Sequence, residues 1–249
     1  MIPIKSKEEI EIMREGGNIL ATIMKELEKR VEPGIATIQL DRLAESLIFK
    51  YGGKPSFKGY QGYPAALCVS INKEIVHAVP SQRIVKGGDI ISLDLGLFYK
   101  GFHADMAVTL AVGNVSSEAR RLLRATKKAL KRGIKKARLG NTFGDISNTI
   151  QRYTEDQGFS VVRDLCGHGI GRELHEEPKI LNYGKRHSGP EIKEGMCFCI
   201  EPMLTLGGWE IKKSEDGFGY ETQDGSLSCH FEHTMVVTKQ GCQILTSLQ

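Results

Sequence analysis

The sequence predicts one α+β domain over residues 1–249, built from two halves of like element order at about 1–115 and 116–249. Three observations lead there. Amphipathic helical stretches come in pairs, and each pair is followed by β-rich runs. Glycine breaks recur at matching places, with Gly34 and Thr37 echoed by Gly140 and Thr142. No linker or low-complexity stretch separates the halves. A chain this long buries roughly three quarters of its unfolded surface, enough for one large core or two fused ones.

Composition narrows the class. Apolar residues make up 40% and charged residues 26%, with a net charge of +4, which excludes disordered, collagen-like and coiled-coil chains. No apolar run approaches the ~18 residues of a membrane span. The N-terminal stretch lacks the apolar core of an export signal, so a cytoplasmic protein is expected. The six cysteines are then reduced thiols. Cys197 and Cys199 alternate inside an apolar run and read as buried strand residues.

The elements follow in order. Ser6 and Glu9 form a capping box that opens a helix towards Arg30, and Pro33-Gly34 stops it. Residues 37–51 repeat Ile38, Leu40, Leu43, Leu47 and Ile48 at helical spacing until Gly52-Gly53. Strands are predicted at 66–71, 89–98 and 102–112. After Gly113, Ser116-Ser117 caps a helix over 118–137. Gly140 breaks it, and a second helix covers 143–157. Strands are predicted again at 160–164, 196–204 and 227–237.

Lys100-Gly101 is a hairpin turn between two of these runs. A two-residue loop sets Asp94 opposite Ala107 and Asp105 opposite Gly96, so the two aspartates become diagonal neighbours on one face. A loop one residue longer would separate them onto opposite faces. Close carboxylates among apolar neighbours require a proton or a cation. Glu201 and Glu232 pose the same problem inside apolar runs of the second half. Divalent cations would neutralise all four at once. His168 stands between Gly167 and Gly169 after a strand, and an imidazole beside carboxylates suits Mn, Fe, Co or Zn. The glycines around it miss the dinucleotide spacing. His103, His187 and His230 have no chemical context and read as solvated or structural.

At these residues the chain resembles the type I methionine aminopeptidases, in their short bacterial form, over nearly its whole length. The resemblance is carried by residues 71–80, the Asp94–Asp105 hairpin, Gly167-His168-Gly169 with His175, Glu201-Pro202-Met203, and Phe231-Glu232-His233-Thr234. It implies a pita-bread fold, in which pseudo-twofold halves surround a curved antiparallel sheet. It implies two divalent ions held by Asp94, Asp105, His168, Glu201 and Glu232, with Asp105 and Glu232 bridging. The implied reaction removes the initiator methionine from nascent chains whose second residue is small. The ions acidify a bridging water that attacks the scissile carbonyl, and Glu201 serves as general base and acid. His77 would contact substrate, and His175 would donate to the scissile carbonyl or oxyanion. Tyr60, Tyr63, Cys68 and Phe218 match the methionine pocket. The chain departs from the family at Phe218 (commonly Trp), Phe57 (Cys in some), Leu174 (Phe in some) and Leu165 (Met, Phe or Tyr), which bears on pocket shape. Family analogy favours a monomer.

A second feature is the run of ten Lys/Arg residues from Arg120 to Arg138 along an amphipathic helix. Such a run reads as a solvated helix face or as an electrostatic footprint for RNA, and because the resembled family acts on nascent chains, the resemblance implies nascent N-termini as substrate and ribosomal RNA as the partner of this helix. Two other readings compete: a proline-specific aminopeptidase or dipeptidase, and a non-catalytic RNA- or ribosome-binding module.

Overall fold

The computed structural model describes residues 2–248. All four predicted helices form. Helix α1 (Lys7–Glu28) opens with the capping box: Glu9 N–H donates to Ser6 Oγ at 3.2 Å, and Ser6 N–H donates to Glu9 Oε2 at 2.8 Å. Helix α2 (Thr37–Lys50) ends at Gly52, whose φ of +75° is costly for a residue with a Cβ. Helix α3 (Ser117–Lys136) is capped by Ser116, whose Oγ accepts from Ala119 N–H at 3.1 Å. Helix α4 (Phe143–Asp156) is capped through Asp145, which accepts from Thr142 N–H at 2.9 Å.

Each helix pair has its own core. Leu20, Leu27, Leu40 and Ile48 of α1 and α2 pack on Leu67, Leu93 and Leu97. Leu122, Leu130, Ile146 and Ile150 of α3 and α4 pack on Phe198 and Met235. Each fully buried aliphatic side chain of this size contributes about 1.5–3 kcal/mol, so the two apolar stripes fix where each helix pair lies.

The helices cover a nine-stranded sheet that both halves build. Its order is Lys54–Pro55, Ile90–Tyr99, Phe102–Ala111, Glu232–Thr238, Cys197–Ile200, Cys166–Gly169, Glu176–Leu181. Leu67–Ile71 and Gly241–Ile244 join from the side. The hairpin of the first half pairs without interruption from Ile90↔Ala111 to Tyr99↔Phe102, and it contains the predicted pairs Asp94↔Ala107 and Gly96↔Asp105. The halves meet along a much shorter seam, at Glu232↔Ala107 and His233↔Met106.

Several predicted strands are corrected. Residues 196–204 form two strands in two sheets, Cys197–Ile200 and Met203–Thr205, because Pro202 offers no N–H to continue a ladder. Residues 227–237 divide at Phe231 into Ser228–His230 and Glu232–Thr238. The 160–164 strand shrinks to Ser160–Val161. Cys166–Gly169 was not foreseen, since Cys-Gly-His-Gly holds no good strand former. His168 therefore lies inside a strand, not after one. Its flanking glycines have a packing reason: a Cβ on Gly167 would collide with the Cys199 carbonyl, and one on Gly169 with the Glu177 carbonyl. All six cysteines are free thiols. Among the described residues no helix is long and apolar enough to cross a membrane.

Candidate metal centre and active site

Register brings the chemistry together. The row Cys68↔Asp94↔Ala107↔Glu232 crosses four neighbouring strands, so these side chains share one face. Two residues along, Asp105 lies on that face as well. Its N–H donates to Thr234 Oγ1 at 2.9 Å, and the Thr234 hydroxyl donates to the Asp105 carbonyl at 2.7 Å. A side chain thus replaces the backbone ladder at the seam. Gly169 pairs with Phe198, which sets His168 beside Cys199 and facing the same space. Glu201 follows directly on Cys197–Ile200, at the break before Pro202.

The result is a dense group of buried carboxylates. Asp94, Asp105 and Glu232 are 7%, 3% and 2% exposed. Asp94 Oδ1, Asp105 Oδ1 and Glu232 Oε1 have no hydrogen-bond partner among the described residues. Burial pushes the Asp94 carboxyl up to about 7. It raises Asp105 well above the ordinary range too, helped by the nearby Glu232 and Asp94 charges. Glu201 and Glu232 rise for the same first reason, each with neighbouring carboxylates adding to it. Buried like charges without a cation are strongly unfavourable, so the donor set fits one that binds positive ions.

His168 completes it. A carbonyl can only accept, so the 2.9 Å contact from Nδ1 to the Gly169 oxygen puts the proton on Nδ1. The Nε2 lone pair then faces Glu201 Oε1 and Glu232 Oε1, both at 3.7 Å. Those distances are too long for hydrogen bonds. They suit donors arranged around a common ion, and burial holds the imidazole neutral, with its pKa down to about 3. Ligand atoms of Asp94, Asp105 and Glu232 lie within 4.8 Å of one another, as do those of His168, Cys199 and Glu232. Glu232 belongs to both sets. Burial raises the Cys199 thiol far above its usual pKa, which keeps it protonated and a poor ligand.

These groups form the floor of a cavity of about 360 Å³. Tyr63, Cys68 and Phe218 line one wall, with Tyr63 and Phe218 edge to face at 5.6 Å. The rim is polar. His77 holds a φ of 59° and packs against Tyr220. Tyr60 stands at the rim, 37% exposed, with its hydroxyl 2.8 Å from His175 Nδ1. The His175 ring stands perpendicular to His168, with centroids 4.4 Å apart.

Residues 11–239 match the profile of Metallopeptidase family M24. The chain is 46% identical to the methionine aminopeptidase of Clostridium perfringens (strain 13 / Type A) over 249 residues, the full length of both. The chain belongs to metallopeptidase family M24. A crystal structure of a methionine aminopeptidase from Thermotoga maritima superposes with a TM-score of 0.98, at 43% identity, covering 99% of this chain and 100% of that one. A Xaa-Pro dipeptidase from Bacillus anthracis shares the fold at a TM-score of 0.80 and 24% identity, covering 99% of this chain and 62% of that one. The architecture is thus the pita-bread fold of M24 enzymes, and the chain is a metallopeptidase of the methionine aminopeptidase branch with a divalent metal cofactor.

Of the three histidines read as solvated or structural, the structure removes the first alternative for His230. His230 is not solvated: it is 1% exposed, and its Nε2 lies 3.6 Å from Glu201 Oε2. Its only sequence signal was its position two residues before Glu232. His103 is structural as expected, with Nδ1 2.9 Å from Ser56 Oγ, and His187 is largely exposed.

Proposed function

We propose that this M24 enzyme removes the N-terminal methionine from polypeptides whose second residue is small, as a cytoplasmic monomer acting on nascent chains. The observation that carries the reading is the meeting of four carboxylates, three of them with an unpartnered buried oxygen, and the His168 lone pair beneath an aromatic-walled cavity. Asp94, Asp105, His168, Glu201 and Glu232 would hold two divalent ions (Mn, Fe, Co or Zn). Such ions, when bound, supply Lewis acidity towards the scissile carbonyl and a water acidic enough to lose a proton near neutral pH.

The remaining steps belong to the chain. Glu201, at the break before Pro202, takes the proton from the attacking water and returns it to the leaving amine. Tyr60 O–H donates to His175 Nδ1, which leaves the His175 Nε2–H free to donate to the substrate carbonyl oxygen. His77 contacts the substrate on the opposite rim. Tyr63, Cys68 and Phe218 receive the methionine side chain, and a thioether packs well on aromatic rings. Tyr60 closes the rim of that pocket.

Release of free methionine from Met-Ala-Ser tests the reading. Activity should vanish in chelator and return with Mn, Fe(II), Co or Zn. Hydrolysis of Ala-Pro peptides in its place would reassign the enzyme to proline specificity. Helix α3 is proposed to contact ribosomal RNA, since all of its nine cationic side chains but Lys136 are exposed. Reversing four of those charges should weaken ribosome co-sedimentation at low salt, and unchanged sedimentation would reject the contact.

A further inference from the structure

The carboxylate of Glu201 lies between two imidazoles. Its Oε1 faces His168 Nε2 at 3.7 Å, and its Oε2 faces His230 Nε2 at 3.6 Å. The two rings are prepared differently. His168 gives its Nδ1 proton to a carbonyl, so a lone pair points at Oε1. His230 makes no such bond: neither ring nitrogen has a partner among the described residues, although the side chain is 1% exposed.

A buried polar group left unpaired is costly, and such groups occur where a partner completes them. For His230 that partner has to accept a proton or donate one. Glu201 Oε2 is the acceptor that faces it. The backbone of His230 is fixed independently of its ring: its N–H donates to Thr109 Oγ1 at 3.0 Å, and its carbonyl accepts from the same hydroxyl at 2.5 Å. The ring therefore projects from a clamped position. The terminal torsion of a glutamate is broad, so a modest rotation of the carboxylate brings Oε2 within hydrogen-bond distance.

We propose that His230 is a positioning residue for Glu201: its Nε2–H holds Oε2, and Oε1 is thereby aimed at the metal centre. This deepens the proposed function and rests on the role given there to Glu201. The two histidines act oppositely on one carboxylate, His168 as a lone pair beside Oε1 and His230 as a proton donor to Oε2. Hydrogen-bond partners behind a metal-binding carboxylate typically govern affinity or rate by about 10- to 100-fold.

The test uses the full-length protein. His230→Leu and His230→Met remove the donor with apolar groups of similar size, and the second serves if the first does not fold. His230→Gln keeps an N–H donor. Mn2+ affinity is read by titration calorimetry, and kcat and KM by methionine release from Met-Ala-Ser. The apolar variants should lose about 10- to 100-fold in Mn2+ affinity or kcat, with KM little changed and no loss of thermal stability. His230→Gln should recover most of that loss. Wild-type affinity and kcat in an apolar variant would overturn the proposal, as would a glutamine variant impaired as badly as the apolar ones. If the wild type released no methionine, the aminopeptidase reading would fall, while the Mn2+ titrations would still decide the role of His230.

Discussion

The two halves contribute to the same site by different means. Asp94 and Asp105 sit in the middle of a hairpin that pairs without a break from Ile90 to Ala111. Glu201 and Glu232 sit at interruptions, one before Pro202 and the other just after Phe231. The first pair is placed by register alone. Glu232 opens its strand and is still held in register opposite Ala107, whereas Glu201 lies beyond the end of its strand, free of the alternation of a pleated sheet and between two imidazoles. A regular frame fixes one side of the site, and a broken frame lets the other side reach it.

The sharpest test of that contrast is Glu201→Gln. The substitution keeps shape and hydrogen bonding but removes a base, so kcat should fall by about 10²–10⁴-fold while the fold survives. Turnover close to wild type would mean that the interrupted side supplies no proton transfer.

Next in size is the response to metal and pH. The Asp94 carboxyl, pushed up to about 7 from 3.8, holds its proton more tightly in the folded state. Its contribution favours folding at low pH and is lost as pH rises from about 4 through 7. His168 and His230, both held down to about 3 from 6.5, act the other way, with stability lost as pH falls below 6.5. Bound cations remove the carboxylate penalty, so the rise in Tm on adding metal to chelator-treated protein should be larger at about pH 8 than at about pH 5. A pH-independent increment would show that the carboxylates are already neutralised within the protein.

Thr234→Val probes the seam between the halves. It leaves the Asp105 N–H and carbonyl without their partner and should cost about 1–3 kcal/mol, a Tm drop of several degrees. Ser92→Ala probes the regular hairpin, where it deletes a 2.7 Å hydroxyl pair with Thr109. There the loss should be about 1 kcal/mol or less. If Ser92→Ala melted lower than Thr234→Val, the unbroken hairpin rather than the seam would be the vulnerable part.

The same contrast explains what the sequence disclosed. The helices were legible because caps and apolar spacing are local signals, and Asp94 opposite Ala107 followed from the turn at Lys100-Gly101 and strand periodicity. The placement of His168 was legible as chemistry but not as structure, since a strand reading Cys-Gly-His-Gly exists only through close approach to Cys199 and Glu177. The strand breaks at Pro202 and Phe231 lay inside apolar runs that looked continuous. His230 gave no local signal beyond a solvated or structural reading, because its neighbour Glu201 is distant in sequence and adjacent only after the second half has folded. Tyr60 was assigned by family resemblance to the pocket, and its bond to His175 adds a role that only the meeting of two rim loops reveals.

The short seam also has a consequence for the timing of synthesis. Asp94 and Asp105 are made in the first half, but Glu232 can pair with Ala107 only after the second half has followed. A copy made only as far as the first hairpin lacks Glu232, so the carboxylate row across the seam is missing one of its members. The four carboxylates thus come together only after both halves have been made and the seam has closed.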